Sequence, residues 1–122
     1  MSRRALVSGG AGFIGSHVTE LLLSRGYHVD ILDNLSSGKR ENVRAGATLH
    51  VHDIGSREAA DLVRGGKYDV LRHLAAQIDV RKSVADPMYD AGVNIVGTLN
   101  LLEAVRTSGH QTRFIFSSTG GA

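Results

Sequence analysis

The sequence predicts an α/β domain built on a doubly wound parallel sheet. Two patterns lead there. Short apolar runs alternate with helical stretches along the whole chain. The runs are apolar throughout rather than alternating apolar and polar, as strands covered on both faces are. A third observation is a glycine-rich turn placed directly between the first strand and the first helix. The length of 122 residues suits one domain.

Ala5-Leu6-Val7 is the first buried-strand candidate. After the glycines, Ile14, Val18, Leu21 and Leu22 fall at i, i+4, i+7 and i+8, one stripe of a helix that Gly26 is placed to end. His28 to Leu32 reads as the second strand, stopping at Asp33-Asn34. Leu35 to Arg44 is loop-like. Thr48 to His52 reads as a third strand. Ser56 can cap a short helix running through Arg64, with Gly65-Gly66 closing it. Asp69 to Leu74 is a fourth strand, and Ala75 to Pro87 a polar connection. Met88 to Thr107 forms a long helix, apolar around much of its circumference and expected to be largely buried. Arg113 to Phe116 is the fifth strand. Arg72, inside the fourth, is expected to reach solvent or a carboxylate, because a buried unpaired guanidinium is costly.

Composition excludes several classes. With 14 basic and 12 acidic residues the net charge is +2, and the basic residues are scattered. Only three Phe and three Tyr are present, so neither a concentrated cationic surface nor a set of stacking rings supports nucleic-acid binding. No apolar run reaches the roughly 20 residues of a membrane span, and the stretch after Arg3-Arg4 is too short for a signal peptide. The expected location is the cytoplasm. The absence of cysteine excludes disulfides and thiolate chemistry within the chain. His50 and His52 share a strand face, but no third ligand accompanies them and no metal site is expected.

Gly9-Gly10-Ala11-Gly12-Phe13-Ile14-Gly15 carries the chemistry. It fits G-x-G-x-x-G at Gly10, Gly12 and Gly15, and G-x-x-G-x-x-G at Gly9, Gly12 and Gly15. The first glycine permits the tight turn, Gly12 lets a pyrophosphate approach the backbone, and Gly15 lets helix and strand pack closely. The amides and positive end of the following helix face the phosphates. Asp33, eighteen residues beyond Gly15, ends the second strand. There it can accept hydrogen bonds from both adenine-ribose hydroxyls and repel the extra phosphate of NADP, which favours NAD. Replacing Asp33 with alanine is expected to weaken NAD binding with little effect on folding. The G-K-[ST] ending of a mononucleotide loop is absent.

Ser8 to His17 resembles the cofactor loop of the extended short-chain dehydrogenases/reductases, the NAD-dependent nucleotide-sugar epimerases and dehydratases. Further matches follow in order: Asp33 to Gly38, Asp53-Ile54, His73 to Gln77, Arg81 to Val84, Asp86-Pro87, Asn94, Gly97-Thr98 and Phe116 to Ala122. Within the family the overall likeness is greatest to the 4-epimerases of UDP-hexoses. The resemblance implies a Rossmann-type fold and NAD as cofactor. It assigns the pyrophosphate to Gly9, Gly12, Phe13, Ile14 and Gly15, and the adenosine ribose to Asp33 and Asn34. Asp53 and Ile54 would flank the adenine. Leu74, Ala75 and Ala76 would line the path toward the nicotinamide ribose, and Asn94 would brace it. Ser117 would lie under the nicotinamide, and the Thr119 hydroxyl would bond the sugar's reacting oxygen.

One departure from the family pattern is large. Its catalytic Tyr-x-x-x-Lys is missing: four residues beyond Tyr27, Tyr68 and Tyr89 stand Ile31, Arg72 and Val93. Residues 1–122 are therefore expected to be the amino-terminal part of an NAD-binding domain. The remaining strands and the substrate domain would lie elsewhere in a longer enzyme. The resemblance implies a nucleotide-sugar substrate and a possible homodimer for that enzyme. Other expectations within the same fold are a 4,6-dehydratase, a decarboxylase or a uronate epimerase. A catalytically dead NAD-binding module needs only the loop and Asp33.

Overall fold

The computed structural model describes residues 3–36, 38–74 and 95–116. Strand β1 (Arg4–Ser8) leads through the glycine turn into helix α1 (Phe13–Ser24) and strand β2 (His28–Leu32). A strap containing one 3₁₀ turn (Arg40–Asn42) then reaches β3 (Thr48–His50). Helix α2 (Arg57–Gly66), β4 (Val70–His73), α3 (Gly97–Thr107) and β5 (Arg113–Phe116) complete the described elements.

All five strands are parallel, in the order β3-β2-β1-β4-β5. From β1 the chain moves outward to β2 and β3, then returns to the other side of β1 for β4 and β5. The strand order thus reverses between β1 and β4. In open parallel sheets a crevice forms at the carboxyl ends of the strands at such a point. Here those ends are Ser8 and His73, which are register partners.

The inner strands β1 and β2 are buried on both faces, as their composition required, whereas the outer strands β3 and β5 are only partly covered. Leu6, Leu32 and Leu71 pack with Ile54, Ala59, Ala60, Val63, Tyr68, Leu101 and Ala104, under α2 and α3. Ala5, Val7, Val29 and Ile31 pack on the other face with Val18, Leu22 and Leu23 of α1 and with Val43 and Ala47 of the strap. The strap thus covers sheet surface without being a helix.

Helix rotation departs from the apolar pattern of α1. Ile14 and Leu21 are exposed, whereas Gly15, Ser16 and Thr19 are buried. Close approach at Gly15 turns the small residues toward the strands, and Thr19 closes back on the helix by donating to the Gly15 carbonyl at 2.8 Å. The Ser56 cap on α2 is present, its Oγ accepting from the Ala59 amide at 3.1 Å. The helix nevertheless continues through Gly65 and Gly66, and Lys67 takes the left-handed cap at φ 50°. The Tyr68 ring packs against Gly66 and would collide with any β-carbon there.

One further expectation is corrected. Among the described residues of the long helix only Gly97, Leu101 and Ala104 are buried, while Ile95, Val96, Leu99 and Leu102 are exposed. One face of α3 packs on α2 and the sheet; an apolar circumference does not by itself supply a second packing surface. Arg72 is only half-buried, as the solvent-reaching alternative requires; among the described residues it pairs with no carboxylate, and its Nε has no hydrogen-bond partner. Its register partners in the sheet are Val7 of β1 and Ile115 of β5.

Buried charge is handled instead at Asp30, in the middle of β2. The Tyr68 hydroxyl donates to its Oδ2 at 2.6 Å and Arg4 Nη2 lies 3.2 Å from the same oxygen. Burial and the Asp30 carboxylate hold the Tyr68 phenol well above its usual pKa. Among the described residues no group of three His, Asp or Glu side chains is placed to hold a metal ion. No helix among them is long and apolar enough to cross a membrane.

Candidate dinucleotide site

The site begins where β1 ends. Gly9 turns the chain at φ 77°, a left-handed conformation that favours glycine. Its amide donates to the Leu32 carbonyl of β2 at 2.8 Å, and its carbonyl accepts from the Gly12 amide at 3.1 Å. This resolves the two overlapping glycine patterns. Gly9 is the turn residue. Gly10 is a packing residue, because a β-carbon there would lie 2.6 Å from Ile31 Cγ2. Gly15 brings α1 onto the turn.

Gly12 is different. Its backbone (φ −85°, ψ 176°) suits any residue, and an added β-carbon would meet only the Gly9 carbonyl oxygen, at 3.4 Å. Nothing in the described chain requires glycine at this position. Gly12 is also the N-cap of α1, and no side chain caps the helix. The first turn, beginning at Phe13 and Ile14, contains no acidic residue, and both of those side chains are exposed. An uncapped helix start with an open backbone approach suits an anion.

Asp33 follows β2 and is 8% exposed. Its Oδ2 accepts from the Ala11 amide at 3.0 Å and its Oδ1 from the Leu35 amide at 2.8 Å. Each oxygen keeps a further lone pair. Asn34 donates from Nδ2 to Asp53 Oδ1 at 2.5 Å, bringing the ends of β2 and β3 together. The structure therefore places Gly9, Gly12, Phe13, Ile14, Gly15, Asp33, Asn34 and Asp53 in the segments that follow the carboxyl ends of β1, β2 and β3.

Ile54, expected beside the adenine, follows Asp53 directly. It is buried in the core, and its carbonyl accepts from Asn100 Nδ2 at 2.7 Å. Leu74 is half-buried, and its amide donates to the Ser8 carbonyl and Oγ, each at 3.0 Å. Ala75, Ala76, Asn94, Ser117 and Thr119 lie outside the described residues.

From the sequence, His73 is expected to pack or hydrogen-bond below the cofactor rather than act as a base; the sequence does not name its partners at the switch point. His73 Nδ1 is 2.6 Å from Ser8 Oγ and its Nε2 is 2.8 Å from Thr98 Oγ1, tying β1, β4 and α3 together. The rings of Phe114 and Phe116 stand 5.8 and 5.7 Å from the imidazole. The serine and threonine hydroxyls were the legible signal, but their convergence required the sheet order. Burial pushes the His73 pKa down to about 4 from its usual 6.5. The folded state thus favours neutral His73. Its contribution to stability is fully present above pH 6.5 and is lost as pH falls toward 4, with a total of about 3 kcal/mol. Urea denaturation at pH 7 and pH 4.5 is expected to show this loss, and His73→Asn to show much less of it. Equal acid sensitivity of the two proteins would remove His73 as the cause.

A parallel sheet reversing between β1 and β4, with an uncapped glycine turn at that point and an acid ending β2, defines the Rossmann-type nucleotide-binding class. The comparisons agree. The chain belongs to the GDP-mannose 4,6 dehydratase family, whose model matches residues 6–121. It is 42% identical over 117 residues to a putative UDP-glucose 4-epimerase of Methanocaldococcus jannaschii, covering 96% of this chain and 38% of that protein. The crystal structure of Thermotoga maritima UDP-glucose 4-epimerase with UDP-glucose superposes with a TM-score of 0.91 at 47% identity, over 98% of this chain and 38% of that one. The Thermus thermophilus UDP-glucose 4-epimerase complex with NAD gives 0.88 at 48% identity, over 96% and 38%. The chain thus spans about 38% of the length of these relatives.

Proposed function

We propose that this chain is the cofactor-holding, amino-terminal part of an NAD-dependent nucleotide-sugar 4-epimerase acting on a UDP-hexose. The observation that carries the cofactor reading is Gly12: an open glycine at an uncapped helix start, with the Asp33 carboxylate fixed close by. The first-turn amides of α1 would hold the pyrophosphate. The free lone pairs of Asp33 would receive the ribose hydroxyls, and its charge would oppose a 2′-phosphate. The Asn34–Asp53 pair would bound the adenine side. When bound, NAD supplies the acceptor and donor of hydride at sugar C4. The Thr119 hydroxyl would hold the reacting sugar oxygen.

The epimerase reading draws on the UDP-glucose 4-epimerases among the relatives. A 4,6-dehydratase is the second reading, favoured by the description of the matching family. The 122 residues alone contain no Tyr-x-x-x-Lys pair, so we expect them to bind NAD without turnover.

Calorimetric titration and thermal melts test this. NAD is expected to bind saturably, to raise the melting temperature through linkage, and to bind more tightly than NADP. No melting shift at millimolar NAD would overturn the cofactor reading. The longer enzyme is expected to interconvert UDP-glucose and UDP-galactose. Turnover of another nucleotide sugar in their place would overturn the choice of reaction.

A further inference from the structure

We propose that Asn42 is a positioning residue of the dinucleotide pocket, acting through the Ala11 peptide groups to orient Asp33. This rests on reading the glycine turn and Asp33 as the NAD site. Ala11 lies inside the glycine turn and is fully buried. Its carbonyl accepts two hydrogen bonds, from the Lys39 amide at 3.0 Å and from Asn42 Nδ2 at 3.1 Å. Its own amide donates to Asp33 Oδ2 at 3.0 Å. Both polar groups of Ala11 are therefore engaged, one by the strap and the other by the carboxylate expected to meet the ribose.

The strap is seated closely there. A β-carbon at Gly38 would lie 2.9 Å from the Ala11 carbonyl carbon, oxygen and β-carbon. Arg44 adds a second attachment, donating to the Ser16 carbonyl at 3.3 Å and pairing with Glu20 at 3.1 Å. Asn42 itself is exposed and ends the 3₁₀ turn. Its side chain has no place in either apolar core. Its amide contact is with the turn, so its effect falls on pocket geometry more than on packing. Losing that donor leaves the Ala11 carbonyl with one bond. The 11–12 peptide plane can then tilt, moving the first-turn amides and loosening the bond from Ala11 to Asp33.

The test is calorimetric titration of the 122-residue chain with NAD. Asn42→Ala is expected to weaken binding about 5–10-fold, the effect of one net hydrogen bond. Asn42→Asp keeps the shape but removes the donor, and should lose at least as much. Circular dichroism melts of both variants without NAD should stay close to those of the unsubstituted chain. The decisive readout is a double-mutant cycle. In an Asp33→Asn background, Asn42→Ala is expected to cost less than about 2-fold, because the group it positions has already been altered. Equal losses in both backgrounds, or unchanged affinity in both Asn42 variants, would overturn the proposal. Failure of the unsubstituted chain to bind NAD would overturn the pocket reading itself, and is seen without any variant.

Discussion

Gly15→Ala is expected to destabilise the fold by about 3 kcal/mol, the upper end of overpacking costs, and to abolish NAD binding. A β-carbon at this position would overlap the Gly9 carbonyl oxygen outright and sit 2.8 Å from Gly10 Cα. Both obstacles are backbone, so no side chain can rotate away. The turn is itself pinned, by the bond from the Gly9 amide to Leu32 and by the bond from Gly12 to Gly9. Relief would require α1 to withdraw from β1, exposing the surface now buried at Gly15, Ser16 and Thr19. The better helix propensity of alanine offsets only about 1 kcal/mol of this.

Gly12→Ala supplies the contrast. The space around that residue is open, so stability should change by less than about 1 kcal/mol, while NAD binding should fall sharply. Urea denaturation and NAD titration of the two variants separate the roles. Undiminished NAD binding by Gly12→Ala would show that no pyrophosphate approaches there. Unchanged stability of Gly15→Ala would show that the turn can yield.

Asp33→Ala is expected to lower NAD affinity about 100-fold, the effect of two charge-assisted hydrogen bonds to ribose hydroxyls. It is also expected to destabilise the chain by about 2–3 kcal/mol. The second effect revises the sequence-based expectation of little change in folding. Asp33 is buried and accepts from two backbone amides, at Ala11 and Leu35. Truncation leaves both donors without that acceptor and removes the link the carboxylate makes between Ala11 and Leu35. Asp33→Asn keeps one acceptor oxygen and should recover part of the stability but little of the affinity. If Asp33→Ala melts with the unsubstituted chain, those two bonds contribute nothing to the fold. If it binds NAD normally, Asp33 is not the ribose acceptor.

Much of the sheet was legible because its signals are local. His28–Leu32 and Arg113–Phe116 emerge as strands with the boundaries read from their apolar runs. Ser56 caps α2 through a bond spanning three residues. Harder features depend on what lies opposite. The α2 terminus lies past two glycines, where Lys67 takes the left-handed cap, and Gly66 is glycine there because the Tyr68 ring leaves no room for a β-carbon. The stripe of Ile14 and Leu21 faced outward because close approach at Gly15 set the helix rotation. The α3 circumference was read as buried, but burial depends on the number of neighbours, which hydrophobicity along one helix does not encode.

The sequence by itself determined the order of elements, the parallel sheet and the glycine turn with its distal acid. Each rests on spacing along the chain and on conformational limits of single residues. Tertiary structure alone decided which glycine does what. Gly9 turns the backbone, Gly10 yields to Ile31, Gly15 yields to the turn, and Gly12 is left open. It also decided that Asp33 braces the fold, and that Ala11, Asn42, Ser8, His73 and Thr98 tie together the ends of the strands around the glycine turn. Those bonds join residues up to 66 positions apart. Hydrogen bonds act over about 3 Å, so only the strand order and register could bring such partners within reach.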